Sequence, residues 1–440
     1  MQWSTRMTYS HEQHYSVREM GLWLPYVVLA AAFGPYVLPS HGIMLAQVAL
    51  YPCAVWALIS LSSGGGWRAV WRLGPVPPAL AFMLIWTLPG TLARQTSGSL
   101  WPLLSQLDNF AQPLCAALVG LAAVARRPQA VASRCLTGCA VILLVLLGAN
   151  ACLALWSALM GELPEALLAP WQPRGMAWVE GGSNLMGLAA SMRRYTGIFQ
   201  QPAEAGLTYS LALLVALYAL KQSTRGGLLS GGIPLLLVGG ALTKSKSFYM
   251  GLVLAGVYMV LPPRSARMLA ALGAGAIGIL FLSSFLGLGD YDPISQMESR
   301  LDPTHGDTVR SLTAGRYGAS NVTFDRLAQV GARSPWIGYG LASGNARFGA
   351  LDSEPLAYFV AGGAPMVAAY VLVIASLALR GLQPHARGSA AGGLAVMLAA
   401  FILLGGLGMP VLNGNRIGQA LGVVLPSVLV ATSGPRRPPT

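Results

Sequence analysis

Long runs of apolar residues, separated by short polar segments, organise almost the whole chain. A membrane-spanning helix needs about 20 mostly apolar residues, and these runs reach or approach that length. Several contain Gly or Pro, which membrane helices tolerate because neighbouring helices satisfy the freed backbone groups. The pattern predicts an all-α polytopic membrane protein with about twelve spans, near residues 22–39, 43–61, 76–93, 101–125, 134–158, 205–220, 228–244, 247–262, 266–288, 355–380, 389–409 and 417–432.

The charged residues between the runs predict an orientation. If the N-terminus is cytoplasmic, every inside segment carries Lys or Arg, whereas Glu12 and Glu19 are the acids found there. An excess of Lys and Arg near span ends marks the cytoplasmic side, so both termini are predicted to be cytoplasmic. The chain is interpreted as one integral membrane domain over 1–440. It has two long periplasmic loops, 159–204 and 289–354, and the second is expected to contain short helices, such as one at 321–332, and to contribute to catalysis.

The composition agrees with this class and excludes others. The 440 residues are 54% hydrophobic and only 10% charged, whereas soluble domains carry roughly 25% charged residues. The net charge of +13 does not predict nucleic-acid binding, because the basic residues are scattered between apolar runs. All five cysteines lie inside apolar runs, so neither a metal site nor another cofactor is predicted.

A second set of charged residues lies on the predicted outer side of the membrane. Ionisable residues at membrane depth are costly and mark functional sites. Arginine offers a planar fork of donors that matches phosphate oxygens, and lysine adds a point charge. We therefore expect the cations to hold an anion that stays in the membrane, such as a lipid-linked pyrophosphate; the alternative is that single arginines snorkel to lipid headgroups. The set comprises Arg94, Asp108, Arg193, Arg194, Glu204, Lys244, Lys246, Arg316 and Arg416.

Three stretches occur in a fixed order around the large outer loop: an Arg-x-x-Gly from Arg194 to Gly197 that leads into Gln-Gln-Pro, "ALTKSKSFYMG" at 241–251, and "ARSPWIGYGLASG" at 332–344. With "LDSEPLAYFVAGGAPM" at 351–366, they resemble the O-antigen ligase / Wzy-type polymerase superfamily of bacterial polysaccharide assembly, over roughly residues 190–380. Ligases of this superfamily usually carry a histidine before the span that follows the large loop. Asp352-Ser353-Glu354 stands there in this chain, which favours a polymerase.

The resemblance implies a glycosyltransferase of the bacterial inner membrane whose active site faces the periplasm. It would polymerise undecaprenyl-pyrophosphate-linked oligosaccharide repeat units into O-antigen, capsule or exopolysaccharide by an inverting, metal-independent transfer. Its partners would be the lipid-linked donor and acceptor, the bilayer and a chain-length-regulating membrane protein. A ligase acting on lipid A core or protein, and a flippase of lipid-linked oligosaccharides, are the alternatives.

The resemblance also suggests roles for individual residues. Arg194 and Lys246 would bind the pyrophosphate, with Arg193 and Lys244 as close alternatives. Arg316 would reach the donor from the large loop. Asp352 or Glu354 would orient or deprotonate the acceptor hydroxyl, unless the pair only caps the following helix, which has Pro355 in its first turn. Supporting roles are expected for Glu204, as a partner of Arg194, and for Asp108, Arg94 and Arg416. The glycine-rich stretch at 338–344 is interpreted as a flexible loop.

Overall fold

The computed structural model describes residues 21–63, 65–94, 101–172, 185–222, 226–260, 322–341, 353–413 and 415–434. Six of its helices are long and apolar enough to cross a membrane, and shorter apolar helices accompany them. This confirms a mostly helical membrane protein. Each predicted span coincides with one of these helices except 266–288, which lies outside the described residues. The predicted helix near 321–332 is also confirmed.

The helices, numbered in chain order, are α1 (Gly21–Ala32), α2 (Leu45–Ser62), α3 (Gly66–Trp71), α4 (Val76–Arg94), α5 (Trp101–Val124), α6 (Gln129–Met160), α7 (Glu165–Leu168), α8 (Leu185–Ser191), α9 (Pro202–Gln222), α10 (Gly226–Leu242), α11 (Lys246–Val260), α12 (Val322–Arg333), α13 (Glu354–Leu382), α14 (Ala390–Gly406) and α15 (Asn415–Ala431).

The first predicted span is shorter as a helix than expected, and the chain is not purely helical. α1 ends at Ala32, just before Gly34 and Pro35. Proline disfavours helical geometry in the residue that precedes it, so this pair stops the helix. Two short strands, β1 (Tyr36–Leu38) and β2 (Ile43–Met44), then pair antiparallel. These five residues are a local departure from the helical architecture.

Helix α9 is the centre of the bundle. Every residue from Ala205 to Leu220 is buried, which is the expected environment for a helix that is apolar all round. Helices α6, α10, α11 and α14 pack against it. Small residues permit close approach: a Cβ on Gly251 would lie 2.0 Å from the Ser210 hydroxyl oxygen.

Segments predicted to be cytoplasmic meet at one end of the bundle, which we call the basic end. Arg126 donates hydrogen bonds to the backbone oxygen of Ser60 at 2.5 Å and of Ser63 at 3.1 Å. Arg380 donates to the backbone oxygen of Leu429 at 2.9 Å and of Arg72 at 3.4 Å. These arginines satisfy carbonyl groups at the C-terminal ends of α2, α3 and α15, where a positive charge is also favoured by the helix dipole.

Candidate functional site

The opposite end of the bundle, called the site end below, is formed by residues 36–44, 193–201, 243–245 and 411–413. Its most constrained part is the loop that carries the Arg-x-x-Gly motif. The side chain of Asn150, buried in α6, accepts a hydrogen bond from the Ile198 N–H at 2.7 Å and donates to the Thr196 carbonyl at 3.1 Å. Gly197 has φ 63°, and a Cβ there would lie 2.0 Å from the Asn150 side-chain oxygen. The glycine of the motif is therefore required by backbone geometry and by contact.

The tight turn between α10 and α11 lies beside this loop. The Tyr195 N–H donates a hydrogen bond to the Leu242 carbonyl at 2.9 Å, which ties the arginine loop to the end of α10. A Cβ on Gly206 would approach the Ser245 side chain within 2.7 Å, so the start of α9 packs on the same turn. Two of the predicted motifs are thus adjacent in space.

Backbone strain coincides with two of the predicted cations. Among the described residues, the non-glycine residues with positive φ are Arg193, at 53°, and Lys244, at 46°. Each follows the C-terminus of a helix, a position that usually carries glycine. The left-handed conformation costs about 1–2 kcal/mol for such residues, which exceeds the 0.3–1 kcal/mol that a cation typically gains at a helix C-terminus. Helix-end electrostatics alone therefore does not explain these cations, and such strain is typical of functional sites.

Arg416, predicted only as a supporting residue, is the buried cation at the N-terminus of α15. Its side chain is 3% exposed and donates a hydrogen bond to the Ile198 carbonyl at 3.0 Å. The guanidinium carbon lies 5.4 Å from the centre of the Phe199 ring. The charge of Arg416 also acts on the carboxylate of Glu204, whose expected pairing with Arg194 stays a prediction.

Tyr36, on the first strand, extends this polar group. The Gln200 amide donates a hydrogen bond to the Tyr36 hydroxyl at 3.2 Å. Burial raises the pKa of the Tyr36 phenol and the negative charge of Glu204 adds to this, while the positive charge of Arg416 and the hydrogen bond from Gln200 oppose it. The hairpin that interrupts the first predicted span thus delivers a side chain to the site end.

Glu354, one of the two predicted catalytic carboxylates, is fully buried at the start of α13. Its Oε1 accepts hydrogen bonds from the Tyr358 hydroxyl at 2.8 Å and from the Asn413 N–H at 2.9 Å. The N-cap residue of α13 is Ser353. The carboxylate therefore holds the loop that leads into α15, and so it supports the position of Arg416.

Asp108 belongs to a polar network within the bundle. Its carboxylate accepts hydrogen bonds from Gln47 at 2.5 Å, from Gln112 at 2.6 Å and from Tyr51. Gln112 accepts in turn from Gln419, which lies one turn after Arg416 on α15. The network joins α2, α5 and α15 and so supports the same helix as Glu354 does.

Within the described ranges, no three His, Cys, Asp or Glu side chains group to hold a metal ion.

The remaining predicted site residues differ in accessibility. Arg193 and Lys246 are exposed, Arg194 is half-buried and Lys244 is 6% exposed. Arg316, Asp352 and the side chain of Arg94 lie outside the described residues.

Sequence reasoning missed Asn150, Gln112 and Gln419. Asn150 could have been found, because it is an isolated polar residue in a long apolar run, where such residues usually have a partner.

The glycine-rich stretch predicted to be flexible is instead tightly packed as far as Leu341. We call residues 334–341 the wedge. The Tyr339 N–H donates a hydrogen bond to the Val360 carbonyl at 2.7 Å, and the Gly340 N–H donates to the Ala361 carbonyl at 3.1 Å. The flexible-loop interpretation is therefore wrong for these residues, because their backbone is bonded into the bundle.

The wedge fits a break in α13. Gly363 has φ 69° and ψ −163°, which interrupts the helix and frees carbonyl groups on the preceding residues. Trp86 of α4 donates to the Gly362 carbonyl at 3.0 Å, and the Thr91 hydroxyl accepts from the Leu341 N–H at 3.0 Å. Irregular backbone at membrane depth is tolerated where protein satisfies it in this way. The wedge thus anchors one end of the large loop between α4 and α13.

Substitution of Gly340 by alanine is expected to lower the free energy of unfolding by about 2–5 kcal/mol. The residue has φ 75°, and a Cβ would lie 2.3 Å from the Thr91 backbone nitrogen. The matched control is Gly331→Ala in α12, where a Cβ meets nothing within 4 Å. Thermal unfolding of both variants in detergent checks the prediction, and equal stability of the two would contradict it.

The fold and the site end define a polytopic α-helical membrane protein with a group of charged and polar residues at one end of its bundle. Comparison with protein-family models finds no match for this chain, and comparison with curated proteins finds none. The resemblance to the O-antigen ligase / Wzy-type polymerase superfamily therefore depends on the motifs described above.

Proposed function

We propose that this protein is a glycosyltransferase that polymerises polyprenyl-pyrophosphate-linked oligosaccharide repeat units at the outer leaflet of the bacterial inner membrane. The observation that carries the proposal is the strained backbone of Arg193 and Lys244, in two segments joined by the hydrogen bond from Tyr195 to Leu242. Cations held in strained backbone in two adjoining segments support an anionic ligand at this end of the bundle.

The chemistry requires such cations. An acceptor hydroxyl oxygen attacks the anomeric carbon of the donor sugar, and the bond from that carbon to the pyrophosphate breaks. The diphosphate leaves with the electron pair, so it needs charge stabilisation rather than a proton. Arg194 and Lys244 supply this charge, with Arg193 and Lys246 closer to solvent. Fixed charges in a water-poor site typically contribute about 100- to 1000-fold each to the rate.

The burial of the two lysines favours Lys244 over Lys246 as the principal lysine. Lys244 is buried, whereas Lys246 is exposed at the start of α11. A charge that has lost its hydration gains more from an anion than a hydrated charge does, because the local dielectric constant is lower. Glu354, by contrast, is proposed to position the α15 loop rather than to touch substrate.

The orientation belongs to the same proposal. The arginines of the basic end would face the cytoplasm, in accordance with the bias of Lys and Arg towards that side. The site end would then face the periplasm, where lipid-linked donor and acceptor meet. A membrane protein that regulates chain length is the further partner we propose.

The decisive experiment is incubation of the purified protein in liposomes with a synthetic undecaprenyl-pyrophosphate-linked repeat unit, followed by sizing of the products. We expect a ladder of extended glycans and release of undecaprenyl pyrophosphate, both depleted in an Arg194→Ala protein. Unchanged substrate would overturn the proposal. Transfer only to added lipid A core or protein would indicate the ligase instead, and movement of labelled glycan across the bilayer without extension would indicate a flippase.

A further inference from the structure

We propose that Glu354 is a proton-binding site: its carboxyl group carries a proton on Oε2, and in this neutral form it holds the start of α13 against the loop before α15. The inference goes beyond the proposed glycosyl transfer and does not depend on it. A carboxyl group that already carries a proton does not take another from a substrate hydroxyl, which agrees with a positioning role for Glu354.

The side chain of Glu354 is buried without a counter-charge. Its exposed fraction is 0%, and it forms no ion pair with a Lys, Arg or His of the described residues. Arg416, the cation of the adjoining helix α15, donates instead to the Ile198 carbonyl at 3.0 Å and faces the ring of Phe199. An unpaired carboxylate is very unfavourable in a protein interior, so such a group usually takes up a proton.

The two carboxyl oxygens of Glu354 differ in their surroundings. Oε1 accepts hydrogen bonds from the Tyr358 hydroxyl at 2.8 Å and from the Asn413 N–H at 2.9 Å. Oε2 is buried and has no hydrogen-bond partner among the described residues. Buried polar atoms are nearly always satisfied, so Oε2 calls for an explanation. The asymmetry is that of a carboxylic acid, in which one oxygen accepts and the other carries the proton.

The groups near Oε2 are acceptors rather than donors. A Cβ on Gly406 of α14 would lie 3.1 Å from Oε2 and closer still to the Tyr370 hydroxyl oxygen, so both oxygens border the position that glycine leaves open. Tyr370 donates its single hydroxyl proton to the Ile402 carbonyl at 2.9 Å, so it can offer Oε2 only a lone pair. Oδ1 of Asn413 is another buried acceptor without a partner in the described part of the chain. A proton on Oε2 supplies the donor that this region lacks.

Two features favour the charged form of Glu354. The residue lies in the first turn of α13, where the helix dipole favours an anion, and the N–H groups of Val411 and Leu412 act on its carboxyl group. The dipole amounts to about half an elementary charge, so it does not neutralise a full negative charge. Neither feature gives Oε2 a hydrogen bond. The neutral acid therefore fits the observed contacts better.

Infrared spectroscopy of the purified protein in detergent tests the protonation directly. Glu354→Gln has nearly the shape of the neutral acid, Tyr370→Phe removes the acceptor near Oε2, and Glu162→Gln, at an exposed acid of the first loop, is the control. At neutral pH we expect the carbonyl stretching band of a protonated carboxyl group in the wild type, its loss in Glu354→Gln and its retention in the control. Tyr370→Phe should keep the band and shift it to higher frequency, because the acid loses a hydrogen bond.

Thermal unfolding of Glu354→Gln and Glu354→Leu tests whether the side chain holds the loop. Glutamine keeps an acceptor for the Tyr358 hydroxyl and the Asn413 N–H, so Glu354→Gln should unfold near the temperature of the wild type. Leucine leaves both buried donors without that acceptor, so Glu354→Leu should unfold several degrees lower. Equal unfolding temperatures for the two variants would overturn the role in holding the loop.

Two infrared results would overturn the protonation. One is a difference spectrum between the wild type and Glu354→Gln that contains only the bands of an ionised carboxylate. The other is a protonated-carboxyl band that Glu354→Gln leaves unchanged, because the proton would then belong to another acid. Neither measurement uses a lipid-linked substrate, so these results bear on Glu354 alone, whereas failure of the extension experiment bears on the glycosyl transfer alone.

Discussion

Replacing Lys244 by glycine is expected to lower repeat-unit extension about 100- to 1000-fold without destabilising the protein. The rate falls because a fixed cation is lost beside the arginine loop. Stability is preserved because glycine adopts the φ of 46° without strain. Relief of about 1–2 kcal/mol of strain outweighs the roughly 0.5–1 kcal/mol of extra backbone entropy that glycine has in the unfolded chain. The free energy of unfolding should therefore stay equal or rise by up to about 1 kcal/mol.

Two companion variants separate charge from backbone geometry at this position. Lys244→Ala removes the charge but keeps the strained φ, so it should be as inactive as Lys244→Gly and less stable. Lys244→Arg keeps the charge and should retain much of the activity. The measurements are the extension rate and thermal unfolding of each protein in detergent. A Lys244→Gly protein that is fully active would show that the strained lysine has no role in catalysis.

Substitution of Gly197 by alanine is expected to be the most damaging small change in the arginine loop. The residue has φ 63°, and the new methyl group would lie 2.0 Å from the Asn150 side-chain oxygen. Strain of about 1–2 kcal/mol and overpacking of about 1–3 kcal/mol together predict a loss of roughly 2–5 kcal/mol in the free energy of unfolding. Extension should fall about 100-fold, since a displacement of about 1 Å in a positioning segment has that effect.

The control for this prediction is Gly161→Ala, at the end of α6. Gly161 has φ 70°, but a Cβ there meets nothing within 4 Å, so only the strain applies. The difference between the two variants isolates the contact with Asn150. Combined with Asn150→Ala, the Gly197 substitution should cost less than the sum of the two single changes, because the group that the methyl would strike is gone. If the losses in the free energy of unfolding were strictly additive, the loop would have moved so that the new methyl group does not contact Asn150.

Much of the fold could be predicted from the sequence because lipid imposes a simple requirement. A span must satisfy its backbone internally and present about 20 apolar residues, and both conditions are local. The predicted pair at 228–244 and 247–262 is accordingly found as α10 and α11. The hairpin at 36–44 was missed because its two strands, Tyr36–Leu38 and Ile43–Met44, are as apolar as the ends of the spans predicted there, and Gly34 and Pro35 mark where the first helix stops.

The candidate site was predictable in part for the same reason. Charges are rare in such a chain, so Arg194, Lys244, Glu204 and Arg416 stand out, and their position at span ends places them at one end of the bundle. Their partners did not follow from the pattern. The pattern did not indicate that the charge of Arg416 acts on Glu204. Nor did the pattern indicate that Glu354 accepts a hydrogen bond from the loop before α15.

By itself the sequence determined the class of protein, the positions of most helices and the small set of charged residues from which a site can be built. Only the tertiary structure decided which of those residues meet, that Asn150 clamps the arginine loop and that the wedge fills the break in α13. The physical reason lies in the helices themselves. Helices such as α9 are apolar all round, so their residue pattern does not indicate which face turns towards which neighbour. That choice depends on close packing between helices distant in sequence, and it becomes visible only when they are assembled.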